Sequence, residues 1–428
     1  MIWLYRALFL PALLLSAPYY GFRMLRRGGY GLDFSHRFGR QKNLPPPAEG
    51  KRRIWIQAVS VGEVEALAPL IDLLNARGGV EIVVTTTTST GYAVLRKKYA
   101  GKIFYAGIFP FDFLPFSRSA WNRIKPDAVA MMEGELWPEH LHRAAERKVP
   151  ALLINARMSD RSFRRYSRFP FVARRLLDKL SLVAASGEPD MGRFLSLGAD
   201  PRRTFCAGNL KFDSKPAEVL DERGRRELRE QLGFEAGSLV LLGSSTWPGE
   251  EEMLLRAAAK LRAQGIDCRL LIVPRHAERR AQIAELIKNL PHCVRSVAPR
   301  APKGTLAYLA DTTGELRTLT QAADLAFIGK SLPPNDGGQT PIDCAALGVP
   351  MVYGPNMTNF RRICLTLEES AAAVKVPNAG EAVAEIARLA KNPNLRATLA
   401  DAAKRWHSSN IGAAQRDFEA VCKFLWRA

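Results

Sequence analysis

Two successive series of short apolar runs, each separated by helix-length segments, constrain this chain more than any other feature. After Pro45-Pro46-Pro47 the runs are IWIQAV, EIVVTTT, IFYAGIF, AVAMM, ALLINA and SLVAAS; after Lys215 and Pro216 they are LVLLG, RLLIV, ADLAFI and PMVYG. A strand covered on both faces reads as a continuous apolar run, and strands joined through helices come to lie parallel. Each series therefore predicts a helix-flanked parallel sheet, and the chain as a whole predicts two Rossmann-like α/β lobes. Length agrees, because 428 residues exceed one typical core and suit two domains of about 200 residues each. The expected division is an N-terminal segment 1–27, a lobe 28–213 and a lobe 214–428, with the boundary near Phe212 to Pro216. The last helices, from Glu381 to Ala428, are expected to pack back across that boundary.

The first twenty residues, MIWLYRALFLPALLLSAPYY, are apolar apart from Arg6 and are followed by Arg23, Arg26 and Arg27. The apolar run from Ala7 is shorter than the roughly 20 residues of a spanning helix, and Pro11 and Pro18 interrupt it. In a cleaved signal peptide the basic cluster would stand on the C-terminal side, where it opposes export. An uncleaved anchor that leaves the body in the cytoplasm is the favoured reading, with Trp3, Tyr5, Tyr19 and Tyr20 suited to a membrane interface. The bland alternative is an apolar helix packed on the protein itself.

A formal net charge of +20 implies a polyanionic partner: nucleic acid, an anionic membrane or a phosphorylated substrate. Between Asn155 and Arg175 stand Arg157, Arg161, Arg164, Arg165, Arg168, Arg174 and Arg175 against one acid, Asp160. Like charges at helical spacing repel, so this density points to phosphate or anionic lipid nearby, against the plain reading of a soluble basic helix. The interleaved Phe163, Tyr166, Phe169 and Phe171 suit single-stranded nucleic acid or a helix resting on lipid; the apolar N-terminus favours lipid.

Several chemistries are excluded or poorly supported. The six cysteines are scattered, without a Cys-x-x-Cys pair, and read as small buried hydrophobes in a reducing compartment. Gly329-Lys330-Ser331 looks like the end of a P-loop, but Asp324 stands where the glycine is required. No Gly-x-Gly-x-x-Gly follows a strand, there is no Asp-x-Asp for a metal-bound diphosphate, no His-Glu-x-x-His and no Gly-x-Ser-x-Gly elbow. What remains is a set of polar and glycine-rich turns just after strands, where open parallel sheets bind ligands. The first series has SVGE (60–63), TTTTSTG (85–91), MEGELWP (132–138) and NARMSDRS (155–162); the second has GSSTWPGEEE (243–252), PRHAER (274–279), DTTGEL (311–316) and GGQTPID (337–343), with GNLKFD (208–213) between them. Glu63, at the turn after IWIQAV, is either a first-turn acid answering the helix dipole or a carboxylate held at the sheet mouth for chemistry.

In this order these stretches, together with DTTGELRTLTQAADLAFIGKSL and GGQTPIDCAALGVPMVYGP, resemble the 3-deoxy-D-manno-octulosonic acid (Kdo) transferases of lipopolysaccharide inner-core synthesis, over essentially the whole chain. The resemblance implies a GT-B type fold: two Rossmann-like lobes with a cleft between them and an N-terminal membrane-associated helix. It implies an inverting transferase on the cytoplasmic face of the inner membrane, with a lipid A precursor bound by the N-lobe and CMP-Kdo by the C-lobe. The partners are then the two substrates and an anionic inner-membrane surface rather than nucleic acid. No cofactor and no metal are expected, because CMP carries a single phosphate that arginine, lysine and helix N-termini can neutralise.

On this resemblance Glu63 is the general base, kept ionised by the helix dipole, and Ser60, Gly62, Glu133, Glu135, Arg157 and Arg161 bind the acceptor. Glu133 and Glu135 equally suit a structural ion pair. Donor contacts fall to Asn209, Lys211, Ser245, Arg275, the Gly314-Glu315-Leu316 amides, Gly338 and Asp343, with Arg275 facing the CMP phosphate or the Kdo carboxylate. The chain departs from the family pattern on the donor side. Trp247 stands where many members have histidine, and Gly337-Gly338-Gln339-Thr340 with Asp343 replaces Gly-Gly-His-Asn followed by glutamate. The competing readings are a GT-B transferase of another nucleotide sugar onto a lipid, and an inactive basic membrane-binding relative.

Overall fold

The structure is a computed structural model that describes residues 2–27, 31–213 and 219–426. Lys215 and Pro216, which mark the expected boundary, lie outside the described residues, as do the side chains of Arg23, Arg26 and Arg27. The chain forms two compact units, Met1–Ser214 with Asn410–Ala428, and Lys215–Ser409.

The first unit is built on a seven-stranded sheet of β1 (Arg52–Ala58), β2 (Val80–Thr86), β3 (Tyr105–Ile108), β4 (Ala128–Met132), β5 (Ala151–Ala156), β6 (Leu182–Ala185) and β7 (Thr204–Cys206). All its pairs are parallel and its order is β3-β2-β1-β4-β5-β6-β7. Successive side chains of a strand point to opposite faces, and β1 shows the consequence. Trp55 enters one core with Val83, Trp121, Met131 and Phe194, while Ile54 and Ile56 enter the other with Leu70, Val84, Ala130 and Ile154. The second core also takes Ala413, Val421 and Leu425 from the last helix, Ala413–Leu425. Residues 410–426 therefore fold as part of the first unit. Asp213 fixes the start of that helix by accepting the Gly412 and Ala414 amides at 2.6 and 2.5 Å.

The second unit has another all-parallel seven-stranded sheet: β8 (Leu239–Thr246), β9 (Cys268–Pro274), β10 (His292–Val294), β11 (Ala307–Leu309), β12 (Leu325–Ile328), β13 (Met351–Tyr353) and β14 (Val374–Lys375). Its order is β10-β11-β9-β8-β12-β13-β14. Strands β7, β10, β11 and β14, of two or three residues each, are absent from the apolar runs of the sequence. All six cysteines are free, and four of them are buried.

The expected N-terminal apolar helix is present, and it is longer than the interrupted run in the sequence implies. One helix runs from Ile2 to Arg27 through both Pro11 and Pro18. Each proline removes one backbone donor but does not end the helix here, and Ile2–Phe22 is long and apolar enough to cross a membrane by length and composition.

Strand order reverses between β1 and β4 and again between β8 and β12, so each unit has a topological switch point at the carboxyl ends of its strands. The second switch point depends on Gly329: a β-carbon there would lie 2.3 Å from the Ser245 carbonyl oxygen, inside a backbone that cannot yield. Gly329→Ala is expected to cost about 1–3 kcal/mol of stability, read as a lowered thermal midpoint. An unchanged midpoint would show that β8 and β12 do not depend on this approach.

Candidate active site

At the switch point of the first unit, β1 runs through Val59 into a short helix, Val61–Ala66. Ser60 caps it, and the local Ser-x-x-Glu spacing lets Glu63 answer the cap. The Glu63 carboxylate accepts the Val59 amide at 2.9 Å on Oε2 and the Ser60 hydroxyl at 3.0 Å on Oε1, and the residue is only 8% exposed. Glu63 makes capping contacts, and those contacts hold its carboxylate in place at the sheet mouth. Burial, then the neighbouring charge of Glu133, raises the Glu63 pKa above its ordinary value, against the opposing effects of Val59, Ser60 and Lys211.

The adjoining turn, after β4, supplies Glu133 and Glu135. Glu133 adopts a left-handed backbone (φ 53), and its Oε1 lies 3.5 Å from Lys211 Nζ and 3.8 Å from Arg157 Nη1. Burial, then the charge of Glu63, pushes the Glu135 pKa up to about 7. On the other side the turn after β2 closes against Ser60. A β-carbon on Gly91 would lie 2.6 Å from Thr86 Oγ1, so the glycine of TTTTSTG is needed for close approach.

The structure thus gathers Ser60, Glu63, Glu133, Glu135, Arg157 and Lys211 at one sheet end, with Gly62 in the first turn beside them. Lys211, expected among the donor contacts, sits in this first-unit group. Asn209 caps the turn Leu210–Asp213, accepting the Lys211 amide at 3.0 Å. Arg161 lies apart and exposed in the first turn of the helix Asp160–Ser167.

The second unit has its own group at β8, β9 and β12. Ser245 and Lys330, at the ends of β8 and β12, both have left-handed backbones (φ 55 and 59). Glu250 holds the two turns together: it accepts the Trp247 and Lys330 amides at 2.9 and 2.8 Å on one oxygen and the Ser331 amide at 2.9 Å on the other. Arg275 joins through its own amide, which donates to the Thr246 carbonyl at 3.2 Å; its side chain is exposed. Lys330 Nζ sits 4.7 Å from the centre of the Trp247 ring, and His276 meets the same ring edge-on at 5.1 Å. Gly338 donates its amide to the Lys330 carbonyl at 2.9 Å, and a β-carbon there would lie 2.4 Å from Met357 Sδ.

Other donor candidates are differently engaged. The Glu315 carboxylate is bound by Arg295 at 2.5 and 2.8 Å, leaving the Gly314-Glu315-Leu316 backbone rather than that side chain at the start of the helix Leu316–Thr320. Asp343 pairs with Arg317 Nε at 3.0 Å. Sequence reasoning missed Lys330 and Glu250. Lys330 was legible only as a residue following a strand at the switch point, and Glu250 was hidden in the acidic run GEEE. Among the described residues no group of three or more His, Cys, Asp or Glu side chains is placed to hold a metal ion.

The family described as 3-deoxy-D-manno-octulosonic-acid transferase (kdotransferase) matches residues 33–214. The 3-deoxy-D-manno-octulosonic acid transferase of Haemophilus influenzae is 30% identical over 98% of this chain and 95% of its own. That of Bordetella pertussis is 31% identical over 94% of each. A solved UDP-GlcNAc 2-epimerase from Neisseria meningitidis shares the two-lobed fold, with a TM-score of 0.59 at 15% identity, covering 87% of this chain and 100% of that one.

The raised Glu135 pKa has a consequence for stability. A carboxyl favoured in its neutral form by the fold contributes stability below its ordinary pKa of 4.5, and that contribution is lost as pH rises through about 7. Glu135→Gln, which stays neutral, is expected to reduce the fall in thermal midpoint between about pH 5 and pH 8. A fall of the same size in both proteins would place the titration elsewhere.

Proposed function

Because the chain belongs to the 3-deoxy-D-manno-octulosonic acid transferase family and is a glycosyltransferase, we propose that it moves Kdo from CMP-Kdo to a lipid A precursor on the cytoplasmic face of the inner membrane. The observation that carries the reaction step is the buried Glu63 carboxylate at the end of β1, held by Val59 and Ser60 and raised in pKa. A general base works best when its pKa approaches the working pH, and burial moves Glu63 in that direction. In the proposed step Glu63 takes the proton of an acceptor hydroxyl while that oxygen attacks the anomeric carbon. The bond to the CMP phosphate breaks on the opposite face, its electron pair leaves with CMP, and configuration inverts.

On the acceptor side, Arg157 and the exposed Arg161 supply positive charge for a phosphorylated lipid headgroup, with Glu133 and Glu135 available to its hydroxyls. For the donor, Arg275 is the principal cation and Lys330 joins it, with Ser245 and the Gly338 turn shaping the backbone around them. The changes at Trp247, Gln339, Thr340 and Asp343 favour a second reading, transfer of another nucleotide sugar to a lipid.

One experiment separates these readings: purified protein with CMP-Kdo and a lipid A precursor, the product read by mass spectrometry. A mass increase of one or more Kdo residues is expected, and absence of product with CMP-Kdo alongside turnover of a different nucleotide sugar would establish the second. In the same assay Glu63→Gln is expected to lower kcat about 10²-fold or more with little change in substrate binding. Near-normal turnover of the folded variant would move the base to Glu133 or Glu135.

The donor side has its own test. A monophosphate leaving group and the lack of Asp-x-Asp predict turnover that survives excess EDTA, whereas Arg275→Ala should raise the donor KM or lower kcat by about 10-fold or more. Activity lost in chelator and restored by magnesium would overturn the metal-free reading.

A further inference from the structure

The helix Ile2–Arg27 has the length of a membrane span, yet its first turns are bound to the folded body. The Tyr5 hydroxyl donates to Asp112 Oδ2 at 2.7 Å. Arg6 grips Glu139 with two bonds of 2.9 Å, its side chain 10% exposed and that of Glu139 fully buried. Phe9 stacks on Phe113 with ring centres 5.0 Å apart. Both acids are themselves built into the body, because Asp112 accepts the Glu139 and His140 amides and Glu139 also accepts from Arg143. At the far end the chain soon rejoins the same unit, where Asp33 accepts the Tyr92 hydroxyl and Arg37 donates to the Phe109 carbonyl.

At about 100° per residue, the half-buried Ile2, Tyr5, Arg6, Phe9, Leu13 and Ser16 fall on one side of this helix. Leu4, Leu8 and Leu14 fall on the opposite side, with Trp3 73% and Leu15 85% exposed. A crossing helix would carry its first turn to the far side of the bilayer. That would either break the two Arg6–Glu139 bonds and leave the buried Glu139 carboxylate with Arg143 as its remaining cation, or draw Asp112, Glu139 and Arg143 into hydrocarbon, and both are unfavourable.

We propose that this helix lies in the plane of the membrane interface, with its Leu-rich face among the acyl chains and both its ends on the side of the body. The occupant of the exposed face is then an anionic phospholipid leaflet. Charge favours that choice over a second copy of the chain: Arg164, Arg165 and Arg168 are exposed on the same unit beside Phe169 and Phe171. Lys179, just after that basic segment, lies within electrostatic range of Arg6, Glu139 and Arg175, which ties the segment to the side of the unit that holds the helix. The proposal does not depend on which sugar is moved.

The test uses full-length protein in sealed inside-out membrane vesicles, with a protease-cleavable tag before Met1 and another after Ala428 as marker of the body's side. Added protease is expected to remove both tags equally. Protection of the N-terminal tag while the C-terminal tag is cut would establish a crossing helix and overturn the proposal. In parallel, the double variant Leu14→Asp with Leu15→Asp is expected to sediment at least roughly 10-fold less with phosphatidylglycerol-containing vesicles, at an unchanged thermal midpoint. Undiminished sedimentation, or loss of a lipid-free dimer instead, would also overturn it.

Discussion

Reversal of strand order within each parallel sheet is the constraint on which the rest of this structure depends. Loops leaving the carboxyl ends of β1 and β4, and of β8 and β12, are fed by crossovers running in opposite directions, so they diverge and leave room for a ligand. The backbone at these points is held under tension. Left-handed conformations, unfavourable for residues with a β-carbon, occur at Glu133, Asn155, Ser245 and Lys330, the ends of β4, β5, β8 and β12. They persist because neighbours over-determine them. Asn155 is fully buried and accepts the Leu210 amide, and Glu250 collects the amides on either side of the Ser245 and Lys330 turns.

That rigidity is what keeps closely spaced carboxylates enclosed beside one another. Glu133 has Lys211 and Arg157 against one of its oxygens. Glu63 and Glu135 are more enclosed and feel each other or Glu133 as negative charge, so both are raised. The arrangement would fail if the loops were free to relax, because the carboxylates would separate and each would recover its solvation.

Much of this was legible in the sequence, for identifiable reasons. The long strands of both sheets could be read because burial on both faces leaves an uninterrupted apolar run, as in Ile54–Ala58 and Cys268–Val273. Strand β14 has two residues and no such run, so it could not be read. The turn carrying Glu63 was legible as strand, cap and helix, but its raised pKa was not, since that depends on Glu133 from a turn about 70 residues away. Residues 410–426 carry no local mark of the unit they join; Asp213 and the core around Ile54 decide it. Pro11 and Pro18 misled in the other direction, because the propensity of a residue is a weaker rule than the run of helix on either side of it.

Trp247 holds a cation in place without neutralising it. Among the described residues Lys330 Nζ has no carboxylate partner; it rests over the Trp247 ring, with the Gly337 backbone close by. An ion pair would fix the ammonium equally well but would cancel its charge. The face of an indole attracts a cation through its quadrupole and leaves the net charge intact. Lys330 is thereby positioned without an ion pair, at the end of the sheet where the side chain of Arg275 is also exposed. A histidine in place of Trp247 would offer a hydrogen bond whose strength depends on pH, whereas the indole holds the lysine at any pH at which the lysine itself is charged.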